Sequence, residues 1–333
     1  MIKKFLKNNP IHRKIVPVFD ILFLLRPTLF FPVWVMIVVG MAMAKMQFTE
    51  YPIWLVAFDV KVFILFIGFS FISASTFILN QIKDVDSDNV NKKLFIVGNK
   101  IKITKAELIM KISLGIGILS LIIVNFGILL IGLLLFLFWG VLYNLKPLEA
   151  KKKPIIGAVI NAIAGFLLYF AGWVMAFSEE GIGFFSSINL DLFTSLSPYI
   201  LCFIAVSLLT TIPDRKGDSE TNATTFAVKF GFLPTIVLAT ILVLIAFVVG
   251  LKLSDPISST ATIVALPFYI VTIFRRKESD VLRTIRYSIF LLSFFVMVVY
   301  PWLFPAVFIV FYLSKYYYWH RFDLHYPTFV VEG

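Results

Sequence analysis

Nine long apolar runs limit what this chain can fold into more than any other feature of its sequence. About 20 apolar residues in a helix suffice to cross the hydrocarbon core of a bilayer. The chain is 60% hydrophobic and its mean hydropathy is +0.95, whereas soluble domains are only about half apolar. We therefore predict an all-α integral membrane protein, a bundle of nine transmembrane helices. The runs are 21–44, 62–82, 108–124, 126–143, 155–177, 196–213, 232–251, 257–274 and 287–313.

The positions of the Lys and Arg residues predict how the bundle is oriented. Of the 30 such residues, 25 fall in segments on the side of the N-terminus and five on the opposite side. Because cytoplasmic loops carry the excess of positive charge, we expect the N-terminus to be cytoplasmic and the C-terminus outside. The net charge of +11 thus lies in loops that meet anionic lipid, and nucleic acid is not a predicted partner.

Three segments follow from this scheme. Residues 1–20 are predicted to form a basic cytoplasmic N-terminal segment, residues 21–313 the transmembrane domain, and residues 314–333 an external C-terminal tail. The single cysteine, Cys202, lies inside an apolar run, so the sequence offers neither an intrachain disulfide nor a cysteine-based metal site.

Two acidic stretches at the ends of apolar runs are the candidates for a functional site. Asn80, Asp84 and Asp88 recur every fourth residue at the end of the second run, and Asp214 and Asp218 repeat that spacing after the sixth. If each helix continues, these residues share one face and rise about 6 Å per step. Both stretches lie on the predicted cytoplasmic side. Acidic groups at the end of a membrane helix indicate function.

Carboxylates in this arrangement favour Mg²⁺ bound together with phosphate. Mg²⁺ takes a few carboxylates plus phosphate oxygens and water, so the four Asp residues, with Asn80 as a neutral ligand, suit ions bridged by a diphosphate. An EF-hand calcium loop is not supported, because Asn89 stands where that loop needs Gly and Phe95 where it needs Glu. Ordinary solvated helix ends would explain one such pair more easily than two. The cations available to neutralise a diphosphate are Lys83, Lys93, Lys146, Lys151 and Arg215.

The sequence resembles the UbiA superfamily of intramembrane aromatic prenyltransferases over roughly residues 20 to 310. The family has an N-x-x-x-D-x-x-x-D motif after its second helix and a D-x-x-x-D motif after its sixth, and both are present here. Two departures from the family's pattern leave open which lysine meets the diphosphate. Lys93-Leu94 replaces a frequent Arg-Pro, and Tyr143 is followed by Pro147 where some members have Lys at that spacing. Further matches are Arg26-Pro27, Tyr143 to Pro147 with Lys151, Asn161, and Thr225 to Gly231.

The resemblance implies that the chain moves an isoprenyl group from a polyprenyl diphosphate to a lipophilic or aromatic acceptor, such as a quinone, chlorophyll-type or lipid precursor. It implies two Mg²⁺ ions bridged by the diphosphate. The implied location is a bacterial or archaeal cytoplasmic membrane, with the mouth of the site facing the cytoplasm and membrane lipid around the helices.

The resemblance also implies roles for individual residues. Tyr143 would stabilise an allylic cation with its ring or contact the diphosphate, and Asn161 would lie near the pocket, although helix packing explains it equally well. The implied metal ligands are Asn80, Asp84, Asp88, Asp214 and Asp218. The implied catalytic residues are Asp84, Asp88, Asp214, Asp218 and Tyr143. The implied substrate-binding residues are Asn80, Arg26, Lys93, Lys146, Lys151 and Asn161.

Two other protein classes compete with a prenyltransferase. A multi-helix transporter would use intramembrane Asp residues in an ion pathway, which calls for charged groups near the middle of the bilayer. A non-catalytic lipid-binding scaffold would tolerate the loss of individual Asp residues. The two acidic motifs at helix ends favour the enzyme.

Overall fold

A computed structural model of the chain describes residues 10–49, 58–91 and 96–327, and helices make up most of this part. A π-helical segment, Phe136–Leu142, directly follows the helix Phe126–Leu135, and Pro27–Leu29 forms a short 3₁₀ turn before the helix Phe30–Lys45. The α-helices are α1 (Pro10–Leu24), α2 (Phe30–Lys45), α3 (Val60–Lys83), α4 (Val85–Val90), α5 (Ile103–Val124), α6 (Phe126–Leu135), α7 (Pro154–Glu179), α8 (Leu190–Thr210), α9 (Arg215–Glu220), α10 (Phe226–Phe230), α11 (Phe232–Lys252), α12 (Pro256–Arg275), α13 (Glu278–Val299) and α14 (Leu303–Phe322).

The predicted all-α membrane architecture is confirmed in the described residues. Eight stretches are long and apolar enough to cross a membrane by length and composition; α1 and α2 together supply one of them, Lys14–Lys45. The predicted run 126–143 corresponds to a shorter apolar helix, Phe126–Leu142. The count of nine spans therefore stays a prediction. Lys93 lies outside the described residues.

The buried apolar residues form one large cluster and smaller ones. The largest takes most of its residues from α2, α3, α6 and α7 and also includes residues of α8, α12 and α13, whereas a second one joins α8, α11, α12 and α13. Within the largest cluster, α2 and α7 touch through their backbones: a Cβ built on Gly40 would lie 2.0 Å from Tyr169 O, and one on Gly172 would lie 1.9 Å from Ile37 O. Only Gly permits so close an approach. This contact holds α2, which contributes Val35 and Met36 to the lining of a cavity.

The C-terminal region differs from the sequence prediction. The run 287–313 is not one helix, because Tyr300 has an extended conformation (φ −127°, ψ 84°) and Pro301 follows it. A residue before proline is disfavoured in the helical conformation. The chain turns back there, and α14 forms a separate helix of 20 residues, about 30 Å long.

The direction of α14 differs from that expected of a chain that ends on the far side of the bundle. Trp302, just before α14, packs against Phe58, just before α3, whereas Tyr317 near its end stacks on Phe23 of α1 with 4.1 Å between ring centroids. Phe23 and Tyr317 belong to one apolar cluster with Ile78, near the end of α3. The end of α14 therefore lies on the same side of the molecule as Asp84, and not opposite to it as expected.

Candidate active site

The first acidic motif lies where a long helix breaks. The helix α3 ends at Lys83, Asp84 has a non-helical conformation (φ −102°, ψ 8°), and α4 starts at Val85. The sequence analysis placed Asn80, Asp84 and Asp88 on one face of a continuing helix, but this break interrupts that face. The backbone still links the two residues of the pair, because Asp88 N donates to Asp84 O at 2.7 Å.

The second acidic motif is built in the same way at the end of α8. Asp214 precedes the short helix α9, and Asp218 N donates to Asp214 O at 3.0 Å. In α4 and α9, each Asp pair therefore begins at the N-cap of a six-residue helix that follows a membrane-spanning one. The two acidic motifs therefore have the same local backbone structure.

Asn91 holds the two acidic segments together. Its side chain accepts from Gly217 N at 2.9 Å and donates to Asp214 O at 3.4 Å. The contact is close, because a Cβ on Gly217 would lie 2.4 Å from Asn91 Nδ2 and 2.7 Å from Ser87 O. Residues more than 120 positions apart in the sequence thus bring both acidic motifs to one end of the bundle.

A polar network surrounds Asp84. Asn80 Nδ2 donates to Asp84 Oδ2 at 2.6 Å and to Asn144 Oδ1 at 3.0 Å. Lys151 forms an ion pair with the other carboxylate oxygen. Asn144 is buried and donates to Gly140 O at 2.9 Å and to Trp139 O at 3.3 Å. The π-helical segment that supplies those carbonyls is a type of irregularity often found at functional sites.

A cavity of about 560 Å³ opens beside this network and brings most of the predicted residues together. Asp88 and Lys146 are described but do not line it, and Lys93 lies outside the described residues. The predicted residues that line the cavity are Arg26, Asn80, Asp84, Tyr143, Lys151, Asn161, Asp214 and Asp218.

The cavity is polar at one end and largely apolar along the walls next to it. Trp139 packs edge-on against Phe77 at 5.3 Å, and its Nε1 donates to Asn161 Oδ1 at 2.9 Å. Tyr143 also interacts with Asn161 and lies within electrostatic range of Asp84, Asp214 and Asp218. Aromatic faces thus border the acidic groups. The other apolar lining residues are Leu29, Pro32, Val35, Met36, Phe203, Val206, Ala223, Val243, Ala261, Ala265, Ile289 and Leu292.

The acidic groups do not form a complete metal cage. Among the described residues, no three His, Cys, Asp or Glu side chains are placed so that they could hold a metal ion by themselves. A calcium site, which needs six to eight oxygen ligands, does not fit this arrangement. Mg²⁺ does fit, because it is commonly bound through one or two carboxylates, with phosphate oxygens and water completing its shell.

Several residues that build the site were not predicted from the sequence. Asn144 and Asn91 position the acidic groups, and Asp86, Ser87 and Lys152 line the cavity, as does Lys83, which was predicted as a cation for the diphosphate. For Asp86 a signal existed, because it lies between the two motif carboxylates. For Asn91 there was none, since its role depends on a contact with a helix far away in the sequence.

Glu149 pairs with the lysine three residues after it in the chain. Lys152 Nζ lies 2.7 Å from Glu149 Oε1. This hydrogen bond, followed by the positive charges of Lys152, Lys151 and Lys146, holds the pKa of the Glu149 carboxyl below its usual value. Glu149 thus engages Lys152 and leaves Lys151 as the lysine that contacts Asp84.

A family model and two curated relatives match this chain. A family model described as the UbiA prenyltransferase family matches residues 33–287. Digeranylgeranylglyceryl phosphate synthase of Sulfurisphaera tokodaii is 28% identical over 193 residues, which is 57% of this chain and 64% of the relative. The match thus spans slightly less than two thirds of that relative. The enzyme of the same name from Saccharolobus solfataricus is 28% identical over 217 residues, 63% of this chain and 72% of the relative.

Solved structures share the fold. The structure of a UbiA homolog from Archaeoglobus fulgidus bound to GPP and Mg²⁺ has a TM-score of 0.60 and 18% sequence identity. The superposition covers 84% of this chain and 99% of that one. At this identity the similarity establishes the architecture of the helices.

Proposed function

The chain belongs to the UbiA prenyltransferase family, and we propose that it transfers an isoprenyl group from a polyprenyl diphosphate to a glycerol-phosphate-type lipid acceptor inside the membrane. The observation that carries the proposal is the convergence of two acidic segments at the polar end of a cavity with apolar walls. An isoprenyl diphosphate is anionic at one end and apolar along its chain, so it matches both regions. The names of two relatives support the lipid acceptor.

The residues at the mouth of the cavity are suited to hold the diphosphate. Asn80, Asp84, Asp214 and Asp218, with Asp88 behind them, are the residues that would hold Mg²⁺, as two ions bridged by the diphosphate. When bound, Mg²⁺ neutralises the charge that develops on the diphosphate as it leaves. Arg26 and Lys151 line the same region and would pair with its oxygens; Lys93 and Lys146 remain candidates for the same role.

The bond between C1 of the isoprenyl group and oxygen then breaks, and its electron pair goes to the diphosphate. The allylic cation that remains is apolar except for its charge. Tyr143, Trp139 and Phe77 present aromatic rings beside the acidic groups, and aromatic faces attract cations. The apolar walls around the isoprenyl chain would keep water from the cation and so prevent its hydrolysis. An acceptor hydroxyl oxygen then forms a bond to C1, and its proton passes to the departing diphosphate.

The location of the cavity mouth completes the proposal. Both acidic segments lie at the end of the bundle that carries most of the Lys and Arg residues, so we propose that the mouth faces the cytoplasm. The diphosphate would then enter from water, and both apolar chains would enter from the lipid.

A transfer assay tests this function. The purified protein in nanodiscs is incubated with Mg²⁺, prenyl diphosphates of graded length and two acceptor classes, glyceryl phosphate ethers and aromatic quinone precursors, and the products are identified by mass spectrometry. We expect prenylated glyceryl ether that disappears with EDTA. Product from the aromatic acceptors alone would contradict the lipid acceptor, and the absence of any transfer would contradict the enzyme.

Matched variants show whether the acidic segments carry the activity. We expect Asp84→Asn and Asp218→Asn each to lower kcat/KM about 10²-fold or more, the usual size of the loss when a group that stabilises developing charge is removed. Asp191→Asn, an exposed position at the opposite end of α8, should retain activity. Equal activity in all three variants would rule out the acidic segments as the site.

A further inference from the structure

Three polar side chains join the last helix of the described structure to the first. Asp20 of α1 accepts hydrogen bonds from Arg321 Nε at 3.0 Å, Arg321 Nη2 at 2.7 Å and the Tyr317 hydroxyl at 2.6 Å. Asp20 is only 5% exposed. A guanidinium that pairs through two nitrogens fixes the orientation of its partner as well as its position. We call these three residues the Asp20 clamp.

The clamp lies next to the turn that carries Arg26. Arg26 has a left-handed conformation (φ 54°, ψ 56°), which is unfavourable for a residue other than Gly and persists only where the surroundings hold it. On one side of the turn, Gln81 Nε2 donates to Leu24 O at 2.9 Å. On the other side, the hydroxyls of Thr28 and Tyr326 lie 3.2 Å apart.

The end of α14 also packs beside the turn that carries Arg26. Tyr318 packs edge-on against Phe23 at 5.7 Å and against Tyr326 at 5.0 Å. The surface of α14 that holds the clamp thus also covers the turn from which Arg26 reaches the cavity.

We propose that α14 is a positioning element of the active site, in which the Asp20 clamp holds the Arg26 turn so that its guanidinium meets the diphosphate. This inference rests on the proposed function, because it takes Arg26 as a ligand of the donor. The clamp residues do not line the cavity. They act through Arg26, so their loss should weaken the binding of the donor and leave the binding of the acceptor unchanged.

A double-mutant cycle tests the inference. We expect Arg321→Gln to raise the KM for the donor about tenfold, which corresponds to about 1.4 kcal/mol, without changing the KM for the acceptor. In an Arg26→Gln background, Arg321→Gln should add no further increase, because residues that act through one contact are not additive. Arg321→Lys, which keeps the charge, should recover part of the donor affinity.

Two further variants keep the test decisive. Tyr317→Phe removes one hydrogen bond of the clamp and keeps the stacked ring. If Arg321→Gln does not fold, the double-mutant cycle is carried out with Tyr317→Phe and Arg26→Gln instead. Lys45→Gln breaks a comparable ion pair, Lys45–Glu179 at 2.7 Å, at the other end of the bundle and should leave the donor KM unchanged.

The outcomes separate this inference from the proposed function. If the clamp variants raise the donor KM equally with and without Arg26, or lower kcat for all substrates without changing the donor KM, α14 is only a structural element. If Arg26→Gln itself leaves the donor KM unchanged while Mg²⁺-dependent transfer persists, the positioning role is overturned and the prenyltransferase stands. No transfer by the native protein would overturn the proposed function.

Discussion

At the scale of single residues, the charges at the mouth of the cavity are arranged in pairs with different tasks. Lys151 contacts Asp84, whereas Lys152, the next residue, contacts Glu149. The Lys151 side chain is 11% exposed and the Lys152 side chain 40%, and the better-buried pair is the less screened by solvent. The positive charge of Lys151 thus neutralises the Asp84 carboxylate. A metal ion at Asp84 must compete with that lysine.

Because of this competition, replacing Lys151 should have opposite effects on the affinity for Mg²⁺ and on the affinity for the diphosphate donor. Lys151→Met should raise the affinity for Mg²⁺ in the absence of donor by about fivefold, since a partly exposed ion pair contributes up to about 1 kcal/mol. The same variant should lower the affinity for the diphosphate, because a cation at its binding site is lost. Calorimetric titration with Mg²⁺ and the KM for the donor measure the two effects.

Lys152→Met is the matched control, because its partner is Glu149 and not an Asp of the motifs. Its Mg²⁺ affinity should stay within about twofold of the native value, a change below the energy of a typical surface pair. A fall in both metal and donor affinity in Lys151→Met would contradict the proposed role of the pair.

At the scale of helices, the contact between α4 and α9 sets the distance between the two acidic motifs. Neither six-residue helix has the length to be stable by itself, so each depends on its partner. Asn91 and the missing side chain of Gly217 permit their close packing. The separation of the Asp pairs is therefore determined by one amide and one glycine.

Gly217→Ala tests this dependence. The added Cβ would lie 2.4 Å from Asn91 Nδ2 and 2.7 Å from Ser87 O, so the two helices must move apart. A misplacement of about 1 Å in an active site lowers the rate about 10²-fold, and we expect a loss of that order in kcat/KM with a folded protein, as judged by size-exclusion chromatography.

Gly115→Ala provides the comparison for that variant. Gly115 lies within α5, and a Cβ there would meet nothing within 4 Å. Ala is favoured over Gly in a helix by up to about 1 kcal/mol, so this variant should keep its activity and unfold at an equal or higher temperature. Full activity of Gly217→Ala would show that the spacing of the motifs tolerates adjustment.

At the scale of the whole molecule, α1 and α14 pack together beside the active site. The helix α14 starts near Phe58 and ends near Asp20, so it runs the length of the bundle. The end of α14 and the acidic motifs share one side. The helical bundle thus continues to Phe322, and the predicted end of the transmembrane domain at residue 313 stays a prediction.

Labelling of introduced cysteines from one side of the membrane checks this topology. In a Cys202→Ala background, we expect a membrane-impermeant maleimide to label Asp323→Cys and Lys216→Cys from the same side. Ser254→Cys, between α11 and α12, should be labelled from the opposite side. Labelling of Asp323→Cys together with Ser254→Cys would restore the external C-terminal tail of the sequence prediction.

The sequence by itself determined the features that depend on neighbours along the chain. The apolar runs predicted a helical membrane protein because crossing a bilayer requires about 20 consecutive apolar residues, and the spacing of Asn80, Asp84, Asp214 and Asp218 predicted two acidic sites at helix ends. All four of these side chains line one cavity. These properties are local, so they can be read without knowledge of the packing.

Only the tertiary structure decided which distant residues meet. The contact of Asn91 with Gly217, the choice of Lys151 as the partner of Asp84, and the return of α14 to Asp20 all join segments far apart in the sequence. Such contacts depend on how helices pack, which hydropathy and short spacings do not specify. The break at Pro301 could be read locally, but the direction that α14 takes after it is set by its packing against α1.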